Sequence, residues 1–360
     1  DSFLLIPATT FIRDIYTQYI NPKAPEKRTI FFSRLLVLVF GIIAYLVSLA
    51  IMAGIYAVFA LGLNIQSGYT GLVNFGIAGF FCIGSYTSAM VTTPMPTGVY
   101  AQYVHQIFGL NLPFVFGLIG AALVCGIVAL LIGIPTLRLG LREDYLAIAT
   151  LGIAETVRLI FNNETWLANG PRGLMGLPQP LHNLVEPKNY NYVFLIIILL
   201  IVILIYLLIE RAIRSPWGRV LRAIREDEVS ASMSGKDIFN FKMQSLVFGA
   251  MIMGIGGALY AHYTKAISPS VFTPLYGTFI IWVMLIAGGS GNNKGAIAGA
   301  YVIWSIWIGT TFLTDFLPYT LKARAPYIRF LIIGVLLEFI LIYRPQGLLG
   351  EEKKVSKLIE

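Results

Sequence analysis

Few residues in this chain have side chains suited to chemistry, and most of them fall in two glycine-rich interruptions. The first, "NIQSGYTGLVNFG" (64–76), carries Ser67, Tyr69, Thr70 and Asn74 between Gly68, Gly71 and Gly76. Their hydroxyl and amide groups either line the path of a polar solute or cap an interrupted helix, a service Asn, Ser and Thr commonly perform. The second, "AGGSGNNKGAIAGA" (287–300), carries Gly288, Gly289, Gly291 and Gly295. Glycine lets a chain leave helical geometry at low steric cost. Neither stretch has the GxxxxGK[ST] order that wraps phosphates, so no ATPase site is expected in this chain. His105, His182 and His262 lack the HxxxH or HExxH grouping of a metal centre, and Cys82 and Cys125 lie apart in apolar runs; no metal site is expected. With no GxSxG elbow either, the residues suit binding and passage rather than bond cleavage, and no enzyme is expected.

Charge inside apolar runs is the other signal. Glu155 lies three residues before Arg158 in "YLAIATLGIAETVRLIF", on roughly one helix face. A charge at depth is costly and usually faces the bundle interior or water. The pair either lines a path or neutralises itself, and the second reading is preferred. Glu338 in "FLIIGVLLEFILIYR" is read as pairing with a polar group on a neighbouring helix, with ion coupling as the alternative.

These residues must be positioned by membrane spans. Of the 360 residues, 57% are hydrophobic and only 12% charged, about half the charge of a soluble domain. The formal charge of +8 follows loops that alternate with apolar runs, so nucleic acid is not expected as a partner. No cleavable leader is expected, because strong apolarity begins only near Leu35. A span needs about 17 to 25 apolar residues, and seven runs qualify: 72–91, 111–135, 145–161, 192–209, 241–263, 296–316 and 328–343. Two more, 35–65 and 275–287, are irregular and suggest bent or discontinuous helices.

The loop 211–237 holds Arg211, Arg214, Arg219, Arg222, Arg225 and Lys236 and is assigned to the cytoplasm. Alternation then brings Arg138, Arg142, Lys294 and the C-terminal tail to the same side. The start of the chain conforms only if 35–65 crosses twice, so ten crossings are preferred to nine. The expected organisation is all-α and polytopic: an N-terminal segment 1–34, one transmembrane domain 35–343 containing the cytoplasmic loop 211–237, and a cytoplasmic tail 344–360.

Within that loop, "SPWGRVLRAIREDEVSASMSGKD" places Val220, Ala223 and Ile224 at helical spacing. Gly235 suits the end of a second short helix. Arginines alone fit a membrane-lipid surface. The added acids Glu226, Asp227 and Glu228 favour docking to a protein.

Several separated stretches together resemble the LivM-like membrane subunits of ABC importers for branched-chain and other amino acids, with urea permeases among their relatives. They are "ALGLNIQSGYTGLVNFGIAGFFCIGSYTSA" (60–89), "LAIATLGIAETVRL" (146–159), "NGPRGLMGLP" (169–178), "GRVLRAIREDEVSASMSG" (218–235), "AGGSGNNKGAIAGA" and "YRPQGLLGE" (343–351). Ile77 departs from the family's frequent histidine. The resemblance implies a multi-pass subunit of the bacterial inner membrane. It implies as partners a second homologous permease, two cytoplasmic ATPase subunits holding ATP and magnesium, and an extracytoplasmic solute-binding protein. Glu228, Ala231 and Gly235 match the E-x-x-A-x-x-x-G form of the family's coupling segment, and Arg219, Arg222 and Arg225 flank them there. A urea permease and a gradient-driven carrier of a polar solute are the alternative functions. The absence of a dense charge cluster in the spans favours a zwitterionic or neutral solute.

Overall fold

The computed structural model describes residues 26–98, 104–140, 142–182, 185–315, 318, 322 and 324–351. Arg13, Lys23, Lys353, Lys354 and Lys357 lie outside them. The long helices are α1 (Glu26–Leu63), α2 (Ile77–Thr92), α3 (Phe114–Arg138), α4 (Glu143–Asn163) and α5 (Tyr190–Arg214). Two short helices, α6 (Pro216–Glu226) and α7 (Glu228–Met233), lead to α8 (Ile238–Thr264), α9 (Ile280–Gly288), α10 (Asn293–Asp315) and α11 (Ala325–Tyr343). Two-residue strands β1 (Leu174–Met175) and β2 (Ala266–Ile267) pair antiparallel at the other end of the bundle from α6.

Five of these helices are long and apolar enough to cross a membrane: α1 from Arg34 onward, α3, α5, α8 and α11. A sixth crossing is added if 275–288 and 293–311, bent by 120° at their break, count as one. By that measure the nine or ten expected crossings are not reached. The ten-crossing reading fails at a definite place, because 35–65 forms one unbroken helix that widens into a π-turn at Asn64–Tyr69. No proline interrupts this run, and its glycines are packing positions rather than breaks. A Cβ on Gly54 would stand 2.5 Å from Ile198, and one on Gly62 would stand 2.8 Å from the Gly249 carbonyl. The stretch from Arg34 to Leu63 covers roughly 45 Å, enough for a single crossing. The basic start of α1 therefore lies at the end of the bundle opposite α6, and there the positive-inside pattern does not hold.

Two other expected spans change at their edges. The run 72–91 begins its helix only at Ile77, leaving 71–76 irregular and α2 with 16 residues. Its counterpart 275–287 opens with a second π-turn, Leu275–Phe279, before α9. These are the two places where glycine-rich sequence adjoins an irregular run.

The centre of the bundle is α8, packed against α1, α2 and α3. Small residues set its distance from them, as membrane helices require when no apolar-versus-water gradient drives association. A Cβ on Gly84 of α2 would lie 2.4 Å from the Gly254 carbonyl, and one on Gly254 would lie 2.6 Å from that of Ala121 in α3. Aromatic side chains fill the space beside this seam: Phe81 meets Phe59, Tyr260 and Phe272 with ring centroids 4.6 to 4.9 Å apart. The outer faces of α3, α5 and α11 leave Val115, Leu123, Leu131, Leu200, Leu204, Leu331 and Phe339 exposed. Such faces suit lipid.

Replacing Gly254 by Val should overpack the meeting of α2, α3 and α8 and destabilise the chain by about 1–3 kcal/mol. Gly309→Ala, where nothing lies within 4 Å of a new Cβ, should leave stability unchanged. Thermal melting of the two variants in one detergent checks both outcomes.

Candidate functional site

The first break is held closed by its own polar side chains. Gln66 donates to the Leu246 carbonyl of α8 at 2.8 Å and accepts from Asn74 at 2.8 Å. Asn74 in turn accepts from the Gly76 N–H at 2.7 Å, at the start of α2. Thr70 donates to the Ile65 carbonyl at 2.9 Å and lies 2.7 Å from the Ser245 hydroxyl. From α4, Thr150 accepts the Phe75 N–H at 3.0 Å; from the second π-turn, Thr278 accepts the Ala78 N–H at 3.1 Å. Backbone groups freed by a break inside apolar surroundings need such partners, and here side chains from four elements supply them.

Asn64 joins this break to the second one. Its amide donates to Asn293 at 2.9 Å, and its oxygen accepts the Gly291 N–H at 2.9 Å. Asn293 passes the chain of bonds on to Glu210 at the end of α5, at 2.9 Å. Only glycine fits at the junction: a Cβ on Gly68 would lie 2.0 Å from Asn64 Oδ1 and 2.6 Å from the Gly291 nitrogen. Gly289 and Gly291 take left-handed backbone, with φ of 118° and 80°, which glycine adopts without penalty. Gly288 faces Gly295 across the turn so closely that a Cβ would meet its carbonyl at 2.1 Å.

Helices α6 and α7 reach this junction from one side. Arg225 of α6 donates to the Gly68 carbonyl and, at 2.8 Å, to Glu351 beyond α11. Arg222 lies 5.4 Å over the Tyr69 ring and 3.5 Å from Glu351. The Arg225 stem fills the space beside Gly71, whose φ is +80°. Next to α6, Asp227 caps α7 by accepting from the Val229 and Ser230 N–H groups. The Ser230 hydroxyl, then these backbone donors, hold its carboxyl below the usual aspartate value.

A family model described as the branched-chain amino acid transport system permease component matches residues 45–341. The chain belongs to this family. It is 31% identical over 338 residues to a probable branched-chain amino acid transport permease protein LivM of Methanocaldococcus jannaschii, covering 84% of this chain and 92% of that one. It is 30% identical over 334 residues to the high-affinity branched-chain amino acid transport system permease proteins LivM of Salmonella typhimurium and Escherichia coli, covering 87% of this chain and 72% of each relative. No solved structure matches it. With its apolar helices, the chain is a multi-pass membrane permease component.

Within the permease, the residues singled out by sequence sort into three groups. Gly68, Gly71, Gly288, Gly289, Gly291 and Gly295 come together with Arg225, although more than two hundred residues separate the two breaks. Tyr69, Thr70 and Asn74 are buried around them, and Ser67 is half-buried beside them. For Thr70 and Asn74 the bonds are those of capping. Glu155 stands apart on α4, bonded to Arg158 at 2.9 Å on a partly exposed face. Gly152 and Thr156 are exposed on the same face.

The loop residues divide in the same way. Arg222 and Arg225 turn inward, Ala231 is buried, and Glu228 pairs with Lys242 at 2.5 Å. Arg219 remains exposed, and Gly235 ends α7 with φ of 73°. Glu338 is exposed on α11, and neither an ion pair nor the expected pairing with a neighbouring helix is found for it among the described residues.

Asn64, Gln66, Ser245, Asn293 and Glu351 were not singled out by the sequence. Asn64 and Gln66 did carry a signal, being amides at the end of a long apolar run. Asn293 and Glu351 carried none, because their partners are distant in sequence.

Asn64→Ala should strand the Gly291 N–H and the Asn293 amide at the junction. An unsatisfied buried group costs about 1–3 kcal/mol. A lowered melting temperature is expected, and adding Asn293→Ala should cost less than its single effect. Additive losses in that double-mutant cycle would show that the two amides do not act together.

Proposed function

We propose that this permease forms half of the alternating-access path of an ATP-driven amino-acid importer. ATP and magnesium would be bound by two cytoplasmic ATPase subunits and not by this chain. A second, homologous permease would complete the path, and an extracytoplasmic solute-binding protein would deliver the solute. The names of the relatives favour a branched-chain or similar neutral amino acid, and the setting proposed is the bacterial inner membrane. We take α2, α4 and the half-length α9 as membrane-embedded with α1, α3, α5, α8, α10 and α11, giving nine embedded segments.

One observation carries the reading: the segment α6–α7 has an inner face bonded directly to the first break and, through Glu351, to the second, and an outer face left uncovered among the described residues. On that outer face Val229 and Met233, one helical turn apart, are 62% and 84% exposed. Outside a membrane, two neighbouring apolar side chains so exposed suit an apolar cleft on a partner helix-in-groove fashion. Arg219, Glu226 and Asp227 are exposed around them, a charged rim of the kind that orients docking. Force applied at α7 then has a bonded route through Arg225 to the Gly68 carbonyl.

The path itself is read from α4. Its open face bears Gly152, Thr156 and the Glu155–Arg158 pair, a polar patch between exposed Ile148 and Leu159 on a helix whose other side packs on α2. Lipid is a poor neighbour for that patch, whereas a water-filled path shared with a second permease suits it. The outer faces of α3, α5 and α11 are left for lipid.

The test is reconstitution of the purified complex with its copurifying chains in vesicles. Uptake of labelled leucine that needs ATP inside is expected. Uptake of urea instead, or uptake driven by an ion gradient with no ATPase present, would overturn the reading. Replacing Val229 and Met233 together by Asp should remove the ATPase subunits from the purified complex by roughly tenfold or more, the loss of an interface hot spot. Gly235→Val, forced into a left-handed backbone, should weaken association less. Glu155→Gln should lower uptake more than it lowers complex assembly.

A further inference from the structure

The segment following α11 takes no part in the function proposed above, yet it touches the second break and the docking helix α6 at one point. The Leu348 and Leu349 N–H groups donate to the carbonyls of Ala287 and Gly288 at 2.8 and 2.9 Å. These are among the last carbonyls of α9, which no donor of their own helix reaches. Asn292, in the turn between α9 and α10, donates to the Gly350 carbonyl at 3.0 Å. Gly347, with φ of 76°, makes the approach possible; a Cβ there would stand 2.6 Å from Gly289. The tail is thereby pinned to the second break by backbone bonds.

Pinned in this way, the tail presents Glu351 to the two inward arginines of α6. Arg225 bonds it at 2.8 Å and Arg222 lies at 3.5 Å. A guanidinium carries several donors in a rigid fork and can serve two acceptors at once. Arg225 does so, with one nitrogen on the Gly68 carbonyl and another on Glu351. Gly291 makes room for this arrangement, since a Cβ there would lie 3.0 Å from both Arg225 and Glu351. One side chain of α6 thus holds the first break directly and the second through the tail.

We propose that Glu351 is a positioning residue for energy coupling, clasping α6 to the second break so that displacement of the docking helices moves both breaks together. The proposal rests on reading α6–α7 as the ATPase-docking segment. Without the carboxylate, Arg225 keeps its bond to Gly68, Arg222 loses its ion partner, and the tail is no longer tied to α6. Motion of α6 then reaches the second break only indirectly, through the first break and the bonds of Asn64 to Asn293 and Gly291. ATP hydrolysis continues while transport per ATP falls.

The experiment uses the whole complex in vesicles, with hydrolysis and labelled leucine uptake measured on the same preparation. For Glu351→Gln, uptake per ATP should fall roughly fivefold or more, the lower range of a coupling energy between sites, with assembly and hydrolysis preserved. Glu351→Asp, which keeps the charge, should recover most of the ratio. Arg222→Gln should lower the ratio in the same direction, and it carries the test if Glu351→Gln does not assemble. A wild-type complex that couples normally beside variants with an unchanged ratio overturns the clasp alone. Equal losses of assembly, hydrolysis and uptake in the Gln and Asp variants also overturn it, by showing a role in folding only. A wild-type complex containing no ATPase overturns the docking reading and the clasp with it.

Discussion

A helix opened within an apolar bundle exposes N–H and C=O groups that no water reaches, and each one left unmet is costly. That constraint organises this permease. Two helices are opened, at 64–76 and at 275–295, and several polar side chains nearby are drawn into repairing them. Gln66, Thr70, Asn74, Thr150, Ser245 and Thr278 bond backbone or one another instead of facing an open space. The repair is shared between segments, so neither break is stable without the other elements in place. Asn64 makes this literal by bonding both Asn293 and the Gly291 N–H.

The same need explains where the small residues fall. Side chains that repair a backbone must come close to it, and close approach excludes a Cβ. Gly68 and Gly291 are the clearances through which Asn64, Arg225 and Glu351 reach their partners, while Gly288 and Gly295 let the turn's backbone close on itself and on the tail. Along α8 the role of glycine is different. There Gly249 makes space for Gln66, while Gly254 and Gly257 bring α2 and α3 within backbone contact. One residue type thus serves two ends, opened backbone at the breaks and close helix packing at the centre.

Placement of the repaired breaks matters for function. They lie at the end of the bundle where α6 and α7 sit, so the most delicate backbone in the permease adjoins the segment proposed to receive ATPase force. Arg225 spans that boundary. Its partners are a carbonyl of the first break and a carboxylate of the tail, and neither is an ordinary helix-surface contact. The open, polar face of α4 lies on another side of the bundle, with Gly79 of α2 against Ala154 between them. The proposed path and the proposed drive would therefore lie on different faces, joined through α2.

The sequence by itself determined that this is an all-α membrane protein, because apolar run length and low charge leave no other solution. It also marked where the chain breaks, since glycine clustering is a local signal. It misjudged 35–65, which looked too long for one span, because run length says nothing of tilt or of helix extending beyond the hydrocarbon. Only the tertiary structure decided what the polar residues do. Thr70 and Asn74 suit a solute path or capping equally by sequence, and in the fold they bond Ser245 of α8 and the Gly76 N–H at the start of α2, as caps do. Arg222, Arg225 and Glu228 looked like one charged docking face, yet they turn toward Tyr69, Gly68, Glu351 and Lys242, leaving Val229 and Met233 outside. The reason is physical: a hydrogen-bond partner more than a hundred residues away leaves no trace in local spacing, and only folding brings Glu351 to Arg225.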